Sequence, residues 1–126
     1  MAAPNLVNVT SITGKIDGHA LTTDAIDNAN SSVITAAADK LIKINSIIVA
    51  NIDGTNSADL TVSFYDSSAT ARYKIASTVA VPADSTLVVL GKDSPIYLAE
   101  GDQIEANASA ASDLEMIISF EELDDA

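Results

Sequence analysis

Along most of this chain large apolar residues return at every second position, the period of a strand with one face in a core. In Lys40–Ala50, Ile42, Ile44, Ile48 and Ala50 share one side, with Ser46 the polar break in that row, while Lys43, Asn45 and Ile47 share the other. Leu60, Val62 and Phe64 alternate with Thr61, Ser63 and Tyr65, and Tyr73, Ile75 and Val79 alternate with Lys74, Ala76 and Thr78. The cleanest pattern lies near the C-terminal end, where Leu114, Met116, Ile118 and Phe120 alternate with Glu115, Ile117, Ser119 and Glu121. Thr86–Leu90 is almost continuously apolar and predicts a strand buried on both faces. Val33–Ala36, Ile96–Leu98 and Gln103–Ala108 predict shorter strands.

Turn-forming clusters separate these runs: 51–57, 66–70, 82–85, 91–95, 99–102 and 109–112. In them Gly54 and Gly101 tolerate positive φ, Pro82 and Pro95 preset φ, and Asp and Asn bond their own backbone. Strand and turn recur roughly every ten residues, which predicts an all-β sandwich or barrel of about eight to ten antiparallel strands. No stretch sustains an apolar stripe at the helical period. The chain divides into an N-terminal part, residues 1–30, and a β domain, residues 31–126. Leu6–Thr13 has the composition of a strand, but 14–29 is rich in Gly, Asp and Asn with few large apolar residues. It reads as an extended arm or loose hairpin; an arm across a neighbour and a disordered terminus fit equally well.

Composition narrows the function. The 126 residues are 48% apolar but only 4% aromatic, with no Cys, no Trp, one His, and 6 basic against 18 acidic side chains, a net charge of −12. Disulfides, thiolate metal sites and Cys nucleophiles are impossible, and one imidazole cannot serve schemes that need two. Nucleic-acid binders neutralise phosphates with Lys and Arg, so neither nucleic acid nor an anionic membrane is an expected partner. No run approaches the roughly 20 apolar residues of a membrane helix. The N-terminus has neither a basic nor an apolar signal region, so folding in a cytoplasm is expected.

Candidate chemistry is sparse. Asp53, with Asn51 and Asn56, offers hard oxygens to a cation such as calcium, but the spacing does not fit an EF-hand loop, and Asp-Gly after a strand is the more natural turn signal. Glu121, Glu122, Asp124 and Asp125 read as a solvated acidic tail. No carboxylate pair is singled out, and His19 beside Gly18 reads as an exposed loop residue. No catalytic residue and no cofactor is therefore expected. A sugar-binding groove would have to be lined by Tyr65, Tyr73 or Tyr97. On the strand Lys40–Ala50 the face opposite the core carries Leu41, Ile47 and Val49, which predicts cover by a second layer or another subunit. With Leu6, Val7, Val9 and Ile12 of the N-terminal part, these are the expected interface residues.

The segment Lys43-Ile44-Asn45-Ser46-Ile47-Ile48-Val49-Ala50-Asn51-Ile52-Asp53-Gly54-Thr55-Asn56 is the first of four that carry a resemblance; the others are 58–62, 81–89 and 96–104. As a set, spanning roughly residues 40 to 122, they resemble small virion structural proteins of tailed bacteriophages, particularly phages of marine bacteria and cyanobacteria. The stretch Leu98-Ala99-Glu100-Gly101-Asp102-Gln103-Ile104 is also similar to a late turn of trimeric jelly rolls of the tumour necrosis factor and complement type.

The resemblance implies a jelly-roll-like sandwich, often trimeric, attached to a capsid or tail, with no enzymatic residues. The expectation is a capsid decoration (cement) protein, a homotrimer on the major capsid protein, made in the host cytoplasm and sited on the virion capsid surface. A tail or head-to-tail connection component and a host-surface carbohydrate-binding module are the alternatives. Residues 6–13 would add as a strand to a capsid edge. Acidic Asp66, Asp84 and Asp102 would face outward, away from Lys40 and Lys43.

Overall fold

A computed structural model describes residues 9–27 and 31–124, and among them the chain forms nine strands and no helix. They are β1 (Ser11–Ala20), β2 (Ser32–Thr35), β3 (Lys40–Asn51), β4 (Ala58–Asp66), β5 (Ala71–Val81), β6 (Thr86–Leu90), β7 (Ile96–Leu98), β8 (Gln103–Ala108) and β9 (Leu114–Asp124). Two antiparallel sheets pack face to face as a sandwich. The first runs β1-β9-β3-β6, with β7 also beside β3, and the second β2-β8-β4-β5. The pairs are nested: β1 with β9, β2 with β8, β3 with β6 and β7, β4 with β5.

The alternation in β9 does what its pattern predicts. Leu114, Met116, Ile118 and Phe120 are buried, facing Leu60, Val62, Ile104 and Ala106 of the second sheet in one core. β3 departs from prediction at one point. Its register against β9 shifts between Ile44 and Ser46, so Asn45 is an extra residue in a β-bulge. A one-residue bulge exchanges the two faces of everything beyond it. Ile42 and Ile44 point inward before it, and Ile47 and Val49 point inward after it, both fully buried in the core. The expected interface role of Ile47 and Val49 is thus corrected: Ile48 and Ala50 occupy the outer face there. Leu41, ahead of the bulge, lies on the outer row but is itself buried, standing opposite the buried Leu123, so it too is not an open interface residue.

β6 is not buried on both faces: Val88 is 61% exposed, because among the described residues the first sheet has a covering layer on one side only. Part of the expected arm is regular structure, since 11–20 forms ten consecutive pairs with β9 without a register break. Leu6 and Val7 lie outside the described residues, and Val9 is half-buried and in no strand.

The turn into β8 explains its own sequence. Gly101 has φ of +86°, and a Cβ there would sit 2.7 Å from Ser67 Oγ. Asp102 accepts hydrogen bonds from Ser67 N–H (3.0 Å), Ser67 Oγ–H (3.2 Å) and Ala99 N–H (3.0 Å), joining two loops. It is buried, so the expected outward acidic edge does not include it.

Candidate interaction surface

β1 hangs beyond the sandwich. Nine of its ten residues are exposed and His19 is half-buried. Ile12 is 60% and Ile16 68% exposed, an unusual state for isoleucine on a regular strand. The antiparallel ladder shows where the backbone groups go. Leu21 N–H donates to Leu114 C=O at 2.9 Å, continuing the β1–β9 register one step. Residues bonded toward β9 alternate with residues bonded outward. Odd-numbered residues of β1 therefore bond β9, while Ile12, Gly14, Ile16, Gly18 and Ala20 turn N–H and C=O to an edge that no other strand among the described residues takes.

The outer face of the first sheet continues this surface. Gly18 stands opposite Ile117, Ile117 opposite Ile48, and Ile48 opposite Val88. Paired residues share a face, so Ile117, Ile48 and Val88 form one apolar row across β9, β3 and β6. A shallow depression of about 530 Å³ lies over Ile117 and Ile48, with Gly18, Ala20, Ala50, Thr86 and the acidic Glu115 along its sides. Of these residues only Ile12 was expected at an interface. Ile16 was hidden between Lys15 and Asp17, and Ile117 stood in the polar row of β9.

Three of the four acidic residues of β9 have lysine neighbours, Glu121 on the outer face and Glu122 and Asp124 on the opposite face, whereas Glu115 beside the row has no ion pair among the described residues. Lys15 lies 3.1 Å from Glu122, Lys43 lies 3.9 Å from Glu121, and Lys40 bonds Asp124, which raises the Lys40 pKa. Glu121, Glu122 and Asp124 are thus strand residues with cationic neighbours rather than a free tail; Asp125 lies outside the described residues.

The other candidates separate. Asp53 accepts from Thr55 N–H (2.8 Å) and Asn56 N–H (3.3 Å), and these donors, Thr55 first, hold its carboxyl below the ordinary aspartate value. A carboxylate occupied by its own loop is a turn device, and no group of three or more His, Cys, Asp or Glu among the described residues could hold a metal ion. His19 is on β1 rather than in a loop, and its Nε2 is buried with no hydrogen-bond partner among the described residues.

Tyr73 and Tyr97 meet across a slot of about 300 Å³ between β5 and β7, lined also by Phe64, Ile75, Ile96 and Lys74. Tyr65 does not join them. It is buried beneath the Arg72 guanidinium, 4.9 Å from its ring centroid, and Arg72 in turn holds the fully buried Glu105 through Nε–Oε1 (2.7 Å) and Nη2–Oε2 (3.3 Å). Sequence reasoning passed over Glu105, because it sits on the outward row of β8, where an acid is normally solvated.

Compared with models of known protein families the chain matches none, and no curated protein matches it.

Proposed function

We propose that this protein is a non-enzymatic virion component, a capsid decoration protein that docks on an assembled shell through the outer face of its first sheet. The observation that carries this reading is the apolar row Ile117, Ile48 and Val88, exposed at Ile117 and Val88 and half-buried at Ile48, which no other described strand covers, with Ile12 and Ile16 exposed on the edge strand. A flat apolar face suits docking on a broad surface, whereas small ligands are held in concave pockets with convergent polar groups. The resemblance supports the capsid as that surface, and the nested strand pairing supports its jelly-roll element. A net charge of −12 suits a coat component that stays off nucleic acid.

The test is cosedimentation with expanded shells of the encoding phage. Wild type should pellet at a fixed stoichiometry, and Ile48→Asp and Val88→Asp should stay in the supernatant while remaining folded. Retention of both variants on the shell would overturn the reading. A few copies per virion instead of hundreds would move the assignment to a tail or head-to-tail connector.

The Tyr73–Tyr97 slot favours a second reading, a carbohydrate-binding module, since aromatic faces stack on sugar rings. Lys74 is its single charged side chain, which leaves few groups for sugar hydroxyls. Binding on a glycan array that Tyr97→Ala abolishes would establish this reading; a blank array would remove it.

A further inference from the structure

The free edges of the two sheets are not alike. β2 has four residues and a register break against β8; β6 and β7 have five and three residues and are separated by a turn containing Pro95. β5 carries two register breaks and a positive φ at Thr78. Short length, bulges and interruptions are among the devices by which sheets avoid pairing with other chains; charged side chains are another, and β1 carries one of each sign, Lys15 and Asp17. β1 has ten residues in unbroken register, no proline, and five residues whose N–H and C=O groups face outward.

We propose that this edge pairs with itself: β1 lies antiparallel to β1 of a second copy about a twofold axis through Ile16. In this register Ile16 faces the partner's Ile16, Gly14 the partner's Gly18, and Ile12 the partner's Ala20. All five outward residues then take hydrogen-bonded positions, so the free edge is used from end to end. Lys15 faces the partner's Asp17 at the closely spaced position between them, and the symmetry repeats the pair. Within its own chain Asp17 has no ion-pair partner among the described residues, whereas Lys15 already lies 3.1 Å from Glu122 and its ammonium is shared.

Neighbouring registers fit worse. An axis through Lys15 sets Lys15 against the partner's Lys15, and one through Asp17 sets Asp17 against the partner's Asp17, like charges directly opposite. An axis through Gly14 sets Lys15 against the partner's Thr13 and sends Gly18 and Ala20 past the end of the partner's strand. An axis through Gly18 sends Gly14 past the end of the partner's strand. A threefold ring, which the resemblance implies, joins unlike surfaces head to tail, while the pattern along β1 is complementary to itself. Pairing merges the first sheets of two copies into one continuous sheet and places two overhanging strands against each other. This inference stands on strand geometry and does not rest on the capsid reading.

The test is sedimentation equilibrium of the full chain and two charge variants over a concentration series. Wild type should approach twice the 13.0 kDa chain mass. Lys15→Asp puts acids opposite acids and Asp17→Lys puts lysines opposite lysines, so each variant alone should dimerise about tenfold more weakly or not at all. Mixed together they should recover a dimer containing one copy of each, because every Asp then faces a Lys. The recovery also shows that both variants are folded. A wild type that stays monomeric, a species of three chains, a variant that associates as well as wild type, or a mixture that stays apart would each overturn the proposal.

Discussion

At Gly101 a single atom decides the outcome. The residue sits at φ +86°, where an L side chain is strained, and a Cβ would meet Ser67 Oγ at 2.7 Å. Gly101→Ala is expected to cost about 1–3 kcal/mol of stability in urea unfolding, with the larger part arising from backbone strain. Two adjacent isoleucines supply a sharper contrast. Ile47 is fully buried beyond the β3 bulge and Ile48 faces outward. Ile47→Ala should cost about 2–5 kcal/mol through the cavity it leaves, and Ile48→Ala about 1 kcal/mol or less. Equal costs would mean that the bulge is misplaced. These neighbours also mark how far a sequence can be read. A period of two predicts burial reliably until one residue is inserted, and Asn45 carries no local signal that distinguishes a bulge from an ordinary polar position.

Between strands, the bond from Arg72 on β5 to Glu105 on β8 decides how the outer face of the second sheet is closed. Glu105 is fully buried, and a buried carboxylate without its cation is far more costly than one that was never there. Arg72→Met should therefore lower the urea midpoint more than the double variant Arg72→Met/Glu105→Met, which removes charge and partner together. The opposite order would show that Glu105 is tolerated in the sheet without its cation. The strands themselves were legible from alternation and turn chemistry: β2, β4, β7, β8 and β9 lie close to where the pattern sets them. Their surfaces were less legible. Exposure of Val88 depends on which sheet lacks a second cover, burial of Glu105 depends on an arginine 33 residues earlier, and the free edge of β1 exists only once β9 has taken its other side. Each is a property of strand order, which no local window contains.

For the molecule as a whole, charge and turn chemistry act in opposite directions as pH falls, and their order sets an optimum. With 18 acidic and 6 basic residues, the fold carries a self-repulsion that salt at about 0.15 M screens beyond roughly 8 Å. Raising salt from low ionic strength should therefore raise the urea midpoint. Exposed carboxylates begin to take protons near about pH 4.5, and the same repulsion falls. Asp53 and Asp66 respond later. Thr55 and Asn56 N–H hold Asp53 down, and the Ser68 hydroxyl, with Ala69 and Ser68 N–H, holds Asp66 down. A carboxyl whose folded value is depressed contributes stability above its unfolded value and loses it as pH falls through the folded one. Repulsion thus relaxes before these two turns weaken. At low salt and high dilution, the urea midpoint at about pH 4.5 should equal or exceed that at pH 7, then fall as pH drops below the unfolded aspartate value of about 3.9. Asp53→Asn keeps the Oδ1 acceptor and should flatten part of the acid limb, whereas Asp53→Ala should lower the midpoint at every pH. A midpoint that declines steadily from pH 7, independent of salt, would show that the lysine–carboxylate pairs along β9 outweigh the net repulsion.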